Sequence, residues 1–235
     1  MKEGLKLAAL YGIRPHQLGF CGSQNKRGVL LNYLKNKNVP DKKVREVLKS
    51  FKAAYPYLKL IAKSSGIKDP FNERVVRAYW VGNGLLDKVK ISDLREMIFE
   101  EFSRPGLLPK EIAVEKAQSI PEDSKPHHSF HVLVVGSISG RIVLEGKLKD
   151  LCRISWGRVE SKIKNQKLKV IYQPLVGNKL GKPLKKIIDW DKDLVPNVKV
   201  GDWVSFHWNQ AVEVLTDADR ENLEKYTKLS LALQI

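Results

Sequence analysis

Residues 120–126 read Ile120-Pro121-Glu122-Asp123-Ser124-Lys125-Pro126, and they separate two halves of the chain that differ in hydrophobic pattern. This stretch is polar, contains two prolines and lacks an apolar period, which is typical of a linker. Before it, apolar residues recur at helical spacing, and after it they form short alternating or continuous runs. The change of period predicts the α+β class, with a helical half followed by a strand-rich half.

The first half has helical periodicity without a convincing alternating strand. In its clearest segment, five apolar residues fall on one helix face at positions i, i+3, i+4, i+7 and i+11: Val44, Val47, Leu48, Phe51 and Tyr55. We therefore predict an all-helical domain over residues 1–120 and a linker at 121–128.

The second half contains short apolar runs bounded by turn residues. These runs predict strands at Phe130–Val135, Arg141–Leu144, Leu151–Val159, Leu168–Tyr172 and Trp203–Val214. Thr216 and Asp219 have the spacing of a capping box, which predicts a C-terminal helix. We therefore predict a small β-barrel domain with a C-terminal helix over residues 129–235.

The composition is that of a globular protein without a membrane span. Of the 235 residues, 43% are hydrophobic and 29% are charged, and no segment has the ~18 consecutive apolar residues that a spanning helix needs. The N-terminus contains Glu3 and leads into a helical pattern, unlike a signal peptide. The two cysteines give no disulfide framework. We therefore expect a cytoplasmic protein.

The chain carries a large basic excess, with 42 Lys and Arg against 26 Asp and Glu and a formal net charge of +16. Such a field attracts nucleic acid, acidic proteins or anionic lipid, and a solvated lysine-rich surface is the alternative explanation. The sequence has no Walker-type glycine loop, Rossmann fingerprint, nucleophile elbow or paired CxxC motif. The enzyme classes that depend on these motifs therefore receive no support.

Three of the five histidines are grouped at the start of the first predicted strand: His127, His128 and His131. Imidazole is the commonest metal ligand in proteins. On an extended chain His127 and His131 would share one face, and His128 would point to the other. The alternative is that the three rings form hydrogen bonds at the domain boundary.

Two further segments contain a cysteine and a histidine in a recognisable context. The first reads Cys152-Arg153-Ile154-Ser155-Trp156-Gly157-Arg158-Val159, and the second reads Val200-Gly201-Asp202-Trp203-Val204-Ser205-Phe206-His207. In order and spacing, residues 150–234 resemble the small hydrogenase-maturation chaperones of the HypC/HupF type. The resemblance implies an OB-like barrel in which Cys152 supplies a thiolate to a metal and His207 completes or orients the site.

The same resemblance implies a cargo and a client. The cargo would be iron carrying cyanide and carbon monoxide groups, or nickel, and the client would be a hydrogenase large-subunit precursor or another maturation protein. Independently of the resemblance, a thiolate is a soft ligand that binds such metals strongly. A free cysteine such as Cys152 is otherwise most often a small buried hydrophobe.

The N-terminal half also contains motifs that look like those of an uncharacterised bacterial family, including residues 17–22 and 78–83. Cys21 lies there between Phe20 and Gly22, in a predicted loop. It is a candidate fourth ligand, and simple burial is the alternative.

Taken together, these features predict a metal-centre assembly factor that needs no turnover. A second hypothesis is a basic OB-like protein that binds single-stranded nucleic acid through strand aromatics: Trp156, Tyr172 and Trp203. A third is a metal-dependent enzyme that combines the three grouped histidines with Glu122 or Asp123.

Overall fold

The computed structural model describes residues 3–23, 26, 28–104, 109–138 and 142–233. The helices of the first half are α1 (Glu3–Gln17), α2 (Gly28–Leu34), α3 (Asp41–Lys49), α4 (Tyr55–Ser64), α5 (Glu73–Trp80), α6 (Ile91–Phe102) and α7 (Lys110–Gln118). A 3-10 helix (Gly84–Lys88) joins α5 to α6. No strand is found among the described residues before 121, which confirms the helical half.

The second half mixes helices and strands. It begins with α8 (His128–Phe130), which continues into a π-helix (His131–Val135), and it ends with α10 (Asp217–Ala232). Between them lie β1 (Ser137–Ile138), β2 (Ile142–Val143), α9 (Lys147–Cys152), β3 (Ser155–Ile163), β4 (Lys167–Tyr172), β5 (Leu175–Val176), β6 (Lys179–Leu180), β7 (Leu184–Asp189), β8 (Trp203–His207) and β9 (Gln210–Leu215).

Five strands form the main sheet in the order β3-β4-β7-β9-β8, and β3 also pairs with β8, so the sheet closes on itself. The pairs are antiparallel except for β7 with β9, where Asp189 lies opposite Gln210 in parallel. The α+β class is therefore confirmed.

The predicted C-terminal helix is confirmed with its cap. The Thr216 side chain accepts from the backbone N–H of Asp219, and the Asp219 carboxylate accepts from the backbone N–H of Thr216. This reciprocal pair satisfies two of the free donors at the start of α10. The predicted strand Trp203–Val214 divides into a hairpin at Trp208 and Asn209, which adopt φ values of 49° and 60°, as a two-residue turn of the primed type requires.

The predicted strand Phe130–Val135 is wrong, because this segment is helical. A short apolar run buried on every side has no period that distinguishes helix from strand. His127 gives the local reason, since its Nδ1 accepts from the backbone N–H of Ser129 at 3.1 Å and caps the helix. The predicted strand Leu151–Val159 is also partly wrong, because Cys152 ends α9. Of the predicted strand Arg141–Leu144, Arg141 lies outside the described residues and β2 covers 142–143.

The predicted linker at 121–128 includes buried residues, namely Ser124, His127 and His128. One cluster of buried hydrophobic side chains extends from Leu5 in α1 to Tyr226 in α10. Helix α1 contacts both β8 and β9. The division into two domains stays a prediction, and the segment proposed as their linker is packed rather than solvated.

None of the described helices combines the length and hydropathy that a membrane-spanning segment needs.

Candidate metal site

Five of the six predicted ligand residues line one enclosed cavity: Cys21, His128, His131, Cys152 and His207. Its volume is about 20 Å³, and a bound water molecule needs about 10 to 15 Å³. The cavity therefore has room for one occupant of the size of a water molecule or a bare metal ion. The other lining residues among those the structure describes are aromatic or apolar, and none is a carboxylate.

Three of these residues converge closely although they come from different elements. His128 begins α8, Cys152 ends α9 and His207 ends β8. Their ligand atoms all lie within 4.8 Å of one another, and all three side chains are buried. The cluster thus contains one sulfur and two imidazole donors, which is a set that soft and borderline transition metals prefer.

His207 is held in the tautomer that a metal ligand needs. Its Nδ1 lies 2.8 Å from the carbonyl oxygen of Tyr11. A carbonyl only accepts, so Nδ1 carries the proton and Nε2 carries the lone pair. That Nε2 faces the backbone of Cys152 without a well-formed hydrogen bond. Burial lowers the pKa of His207 to about 4, so the ring is neutral at physiological pH.

Pro15 explains why the Tyr11 carbonyl is available. In a helix this carbonyl would accept from the backbone N–H of residue 15, but proline has none. The freed acceptor binds His207 instead, across the contact between α1 and β8. Tyr11 is fixed in turn because its hydroxyl donates to Glu213 at 2.6 Å. Sequence reasoning missed this support, although a proline inside a helical pattern signals a free carbonyl four residues earlier.

His128 has both ring nitrogens engaged. Its Nε2 donates to the carbonyl of Cys152 at 2.8 Å, and its Nδ1 lies 3.1 Å from the hydroxyl of Tyr79. That hydroxyl also lies 2.9 Å from the Ala53 carbonyl, so one phenolic proton serves two acceptors. Burial, and next His207, lower the pKa of His128 well below its usual value. His128 can therefore bind a metal only by exchanging one of these hydrogen bonds.

Cys152 is a buried thiol, and no Lys or Arg is among the described residues that line the cavity. Burial, and to a smaller extent Cys21, raise its pKa well above the usual value, so it is protonated at neutral pH. An activated nucleophilic cysteine has the opposite character. A metal ion would supply the positive charge that the thiolate lacks and would displace the proton on binding.

The two other histidines predicted as ligands, His127 and His131, have mainly structural contacts. His127 does not reach the cavity, because it caps α8 and stacks on Tyr226 with ring centroids 5.2 Å apart. The Nδ1 of His131 lies 3.1 Å from the hydroxyl of Tyr57. The expectation that His127 and His131 share one face, with His128 on the other, assumed an extended chain, whereas residues 128–135 are helical, and it is His128 that lines the cavity with His131.

Cys21 lies in the segment that follows α1, residues 18–23, and this segment covers the cavity. Its carbonyl accepts from Nδ1 of His16 at 2.8 Å, and burial raises the pKa of its thiol to about 12. The neighbouring Phe20 stacks on Trp208, with ring centroids 4.3 Å apart. Both Phe20 and Cys21 are only half-buried, so this segment separates the cavity from solvent.

We expect Phe20→Ala to expose the cavity. An aromatic stack contributes about 1 kcal/mol, so its loss should increase the open population roughly fivefold. In a Cys21→Ser background, N-ethylmaleimide should therefore label Cys152 faster by about this factor, as followed by mass spectrometry. Leu18→Ala truncates an exposed side chain of the same segment and should leave the rate unchanged. Equal rates in Phe20→Ala and Leu18→Ala would show that the stack does not limit access.

A family model matches residues 1–234. The chain belongs to DUF6390, a family of unknown function. No curated protein and no solved structure matches the chain. The arrangement of donor atoms in this DUF6390 protein is therefore the main guide to its chemistry.

The aromatic side chains predicted to stack on nucleic-acid bases are not available on the surface. Trp156 and Tyr172 are buried, and Trp203 is half-buried beneath the Arg220 guanidinium, 5.6 Å from its ring centroid. These strands therefore present no stacking platform of the kind that single-strand binders use.

The acidic partners expected for a metal-dependent enzyme are also remote. Glu122 is 72% exposed and pairs with Arg95 at 2.8 Å. Neither Glu122 nor Asp123 lines the cavity. Hydrolytic metal sites need an open position for water, whereas this cavity is enclosed by aromatic side chains.

Proposed function

We propose that this DUF6390 protein is a metal-centre assembly factor that holds one transition-metal ion in the buried cavity. Cys152 and His207 are the primary ligands, and His128 is a third. The convergence of their donor atoms to within 4.8 Å, in a cavity whose described lining contains no carboxylate, is the observation that carries this proposal.

The size of the cavity selects among the cargoes that the chaperone resemblance implies. A bare ion fits a volume of about 20 Å³. Iron with cyanide and carbon monoxide does not fit the closed cavity, because each diatomic group is larger than a water molecule. Of the two cargoes that the resemblance implies, a bare nickel ion fits the cavity. Zinc and copper(I) also prefer imidazole and thiolate ligands.

We propose that the closed five-stranded sheet is an OB-like barrel, with a hydrogenase large-subunit precursor or another maturation protein as the client. The order of the five strands and the C-terminal helix support the first part. Two free cysteines fit a reducing compartment, so we place this activity in the cytoplasm.

Metal analysis of purified variants tests the proposal. The wild type, Cys152→Ser and His207→Gln would be loaded anaerobically with Ni²⁺, Zn²⁺ or Cu(I), desalted and assayed by mass spectrometry. We expect a single retained ion per wild-type chain and none in the two variants. His127→Asn is the matched control, because it changes a buried histidine outside the cavity and keeps a residue that caps helices well. Failure of the wild type to retain any of the three ions, or equal retention by all variants, would contradict the proposal.

A further inference from the structure

Residues 155–189 hold a large share of the positive charge of the chain. This segment contains nine Lys and Arg but only two acidic residues, a net charge of +7 out of +16. It includes three adjacent strands of the closed sheet, β3, β4 and β7. Its two acidic residues, Glu160 and Asp189, are already paired with basic side chains. The segment therefore carries seven positive charges in excess of its carboxylates.

Three isoleucines are exposed among these basic residues on the outer face of the sheet. Ile163 of β3, Ile171 of β4 and Ile187 of β7 have 36%, 38% and 54% of their surface exposed. The register gives each a basic neighbour on an adjacent strand: Arg158 and Lys185 for Ile171, Lys169 for Ile187, and Lys167 for Ile163. We call these three isoleucines and their basic neighbours the isoleucine face.

The dimensions of the isoleucine face suit a single secondary-structure element. Three strands span about 10 Å, and the paired rows extend about 14 Å along them. An α-helix with its side chains is about 10 Å wide. A single amphipathic helix would therefore cover the three isoleucines.

The ion pairs of Glu160 indicate that the isoleucine face binds negatively charged groups. Its carboxylate lies 3.0 Å from Lys169 of β4 and also pairs with Lys185 of β7, so one carboxylate bridges the lysines of two strands. The exposed apolar groups are aliphatic, whereas the aromatic residues of these three strands, Trp156 and Tyr172, are buried. Carboxylates with aliphatic side chains match this surface better than stacked nucleic-acid bases do.

We propose that the isoleucine face docks an acidic amphipathic helix of a partner protein. The apolar side of that helix covers the isoleucines, and its carboxylates pair with the surrounding lysines. This proposal is independent of the metal site, because none of the residues of the face lines the cavity.

The test uses the full-length protein and a fluorescent synthetic helix with leucines on one side and glutamates on the other. Fluorescence anisotropy should show binding that weakens as salt is added. Lys167→Glu combined with Lys185→Glu reverses the charge of the face, and Ile171→Ser combined with Ile187→Ser removes its apolar contact. Each double variant should weaken peptide binding about tenfold or more. Lys42→Glu with Lys43→Glu makes the same change of charge on exposed residues of α3 and should have little effect.

Several outcomes would overturn the proposal. One is no binding of the peptide to the wild type, and another is unchanged binding in both face variants. An equal loss in the α3 control would show that only the overall charge matters. A fluorescent oligothymidylate that binds more tightly than the peptide, and whose binding alone is reduced by the face variants, would identify nucleic acid as the occupant. The same result with phosphatidylserine vesicles would identify a membrane. Thermal unfolding of each variant verifies that the fold is intact.

Discussion

Replacing Asp150 by alanine should destabilise the fold by about 3 to 5 kcal/mol, because it leaves a buried guanidinium without its carboxylate. Arg153 is 1% exposed and pairs with Asp150 at 3.0 Å. The same carboxylate accepts from the backbone N–H of Leu175 at 3.0 Å and from the hydroxyl of Tyr172 at 3.1 Å. Asp150 therefore joins α9, which carries Cys152, to β4 and β5. Urea denaturation at neutral pH measures the loss.

Two controls distinguish the loss of this buried ion pair from the loss of an ion pair at the surface. Glu160→Ala removes a half-buried carboxylate at the surface that also pairs with two basic residues, and it should change stability little. Arg153→Met in the Asp150→Ala background removes the unpaired buried charge and should recover part of the loss. If Asp150→Ala is no more destabilising than Glu160→Ala, the buried pair has no special role.

The protein should also lose stability in mild acid, between pH 6.5 and 4. Burial lowers the pKa of His127 to about 3 and that of His207 to about 4. In the unfolded chain both rings titrate near pH 6.5, so below that pH the unfolded state binds more protons than the folded state. Their contribution is complete above pH 6.5 and decreases as the pH falls, by roughly 3 kcal/mol per histidine at pH 4.

Urea unfolding at pH 7.5, 6, 5 and 4.5 measures this dependence. The wild type should show a steep fall in the free energy of unfolding, and His127→Asn should show a shallower fall because one of the titrating rings is absent. His127 is chosen because it lies outside the metal cavity, so the comparison is independent of any bound ion. Parallel curves for the two proteins would mean that His127 is not held neutral by burial.

The sequence predicted the elements whose local signals agree with their packing. The Thr216 and Asp219 pair fixed the start of α10 correctly, and the helical period before residue 120 was confirmed. The run from Phe130 to Val135 was wrongly predicted as a strand because it is almost entirely apolar, so its hydrophobic period does not distinguish a strand from a helix. Strand β7 was missed because Lys185 and Lys186 interrupt its alternation with two consecutive polar residues.

The candidate site was predictable as a set of residue types but not as an arrangement. Cys21, Cys152 and His207 were singled out by their local motifs, and the structure brings all three to one cavity. No pattern in the sequence could show that His128 joins them while His127 does not, because this depends on a helical backbone at residues 128–130. The support from Tyr11 depends on contact between α1 and β8, across about two hundred residues of sequence.

X-ray absorption spectroscopy of the zinc-loaded protein tests the proposed metal site most directly. If Cys152 and the two histidines bind the ion, the spectrum should contain a sulfur scatterer at about 2.3 Å together with the multiple-scattering pattern of imidazole. The sulfur shell should disappear in a Cys152→Ser protein forced to bind by excess zinc. A wild-type spectrum with only oxygen neighbours, or a sulfur shell that persists in Cys152→Ser, would contradict a metal site built on Cys152.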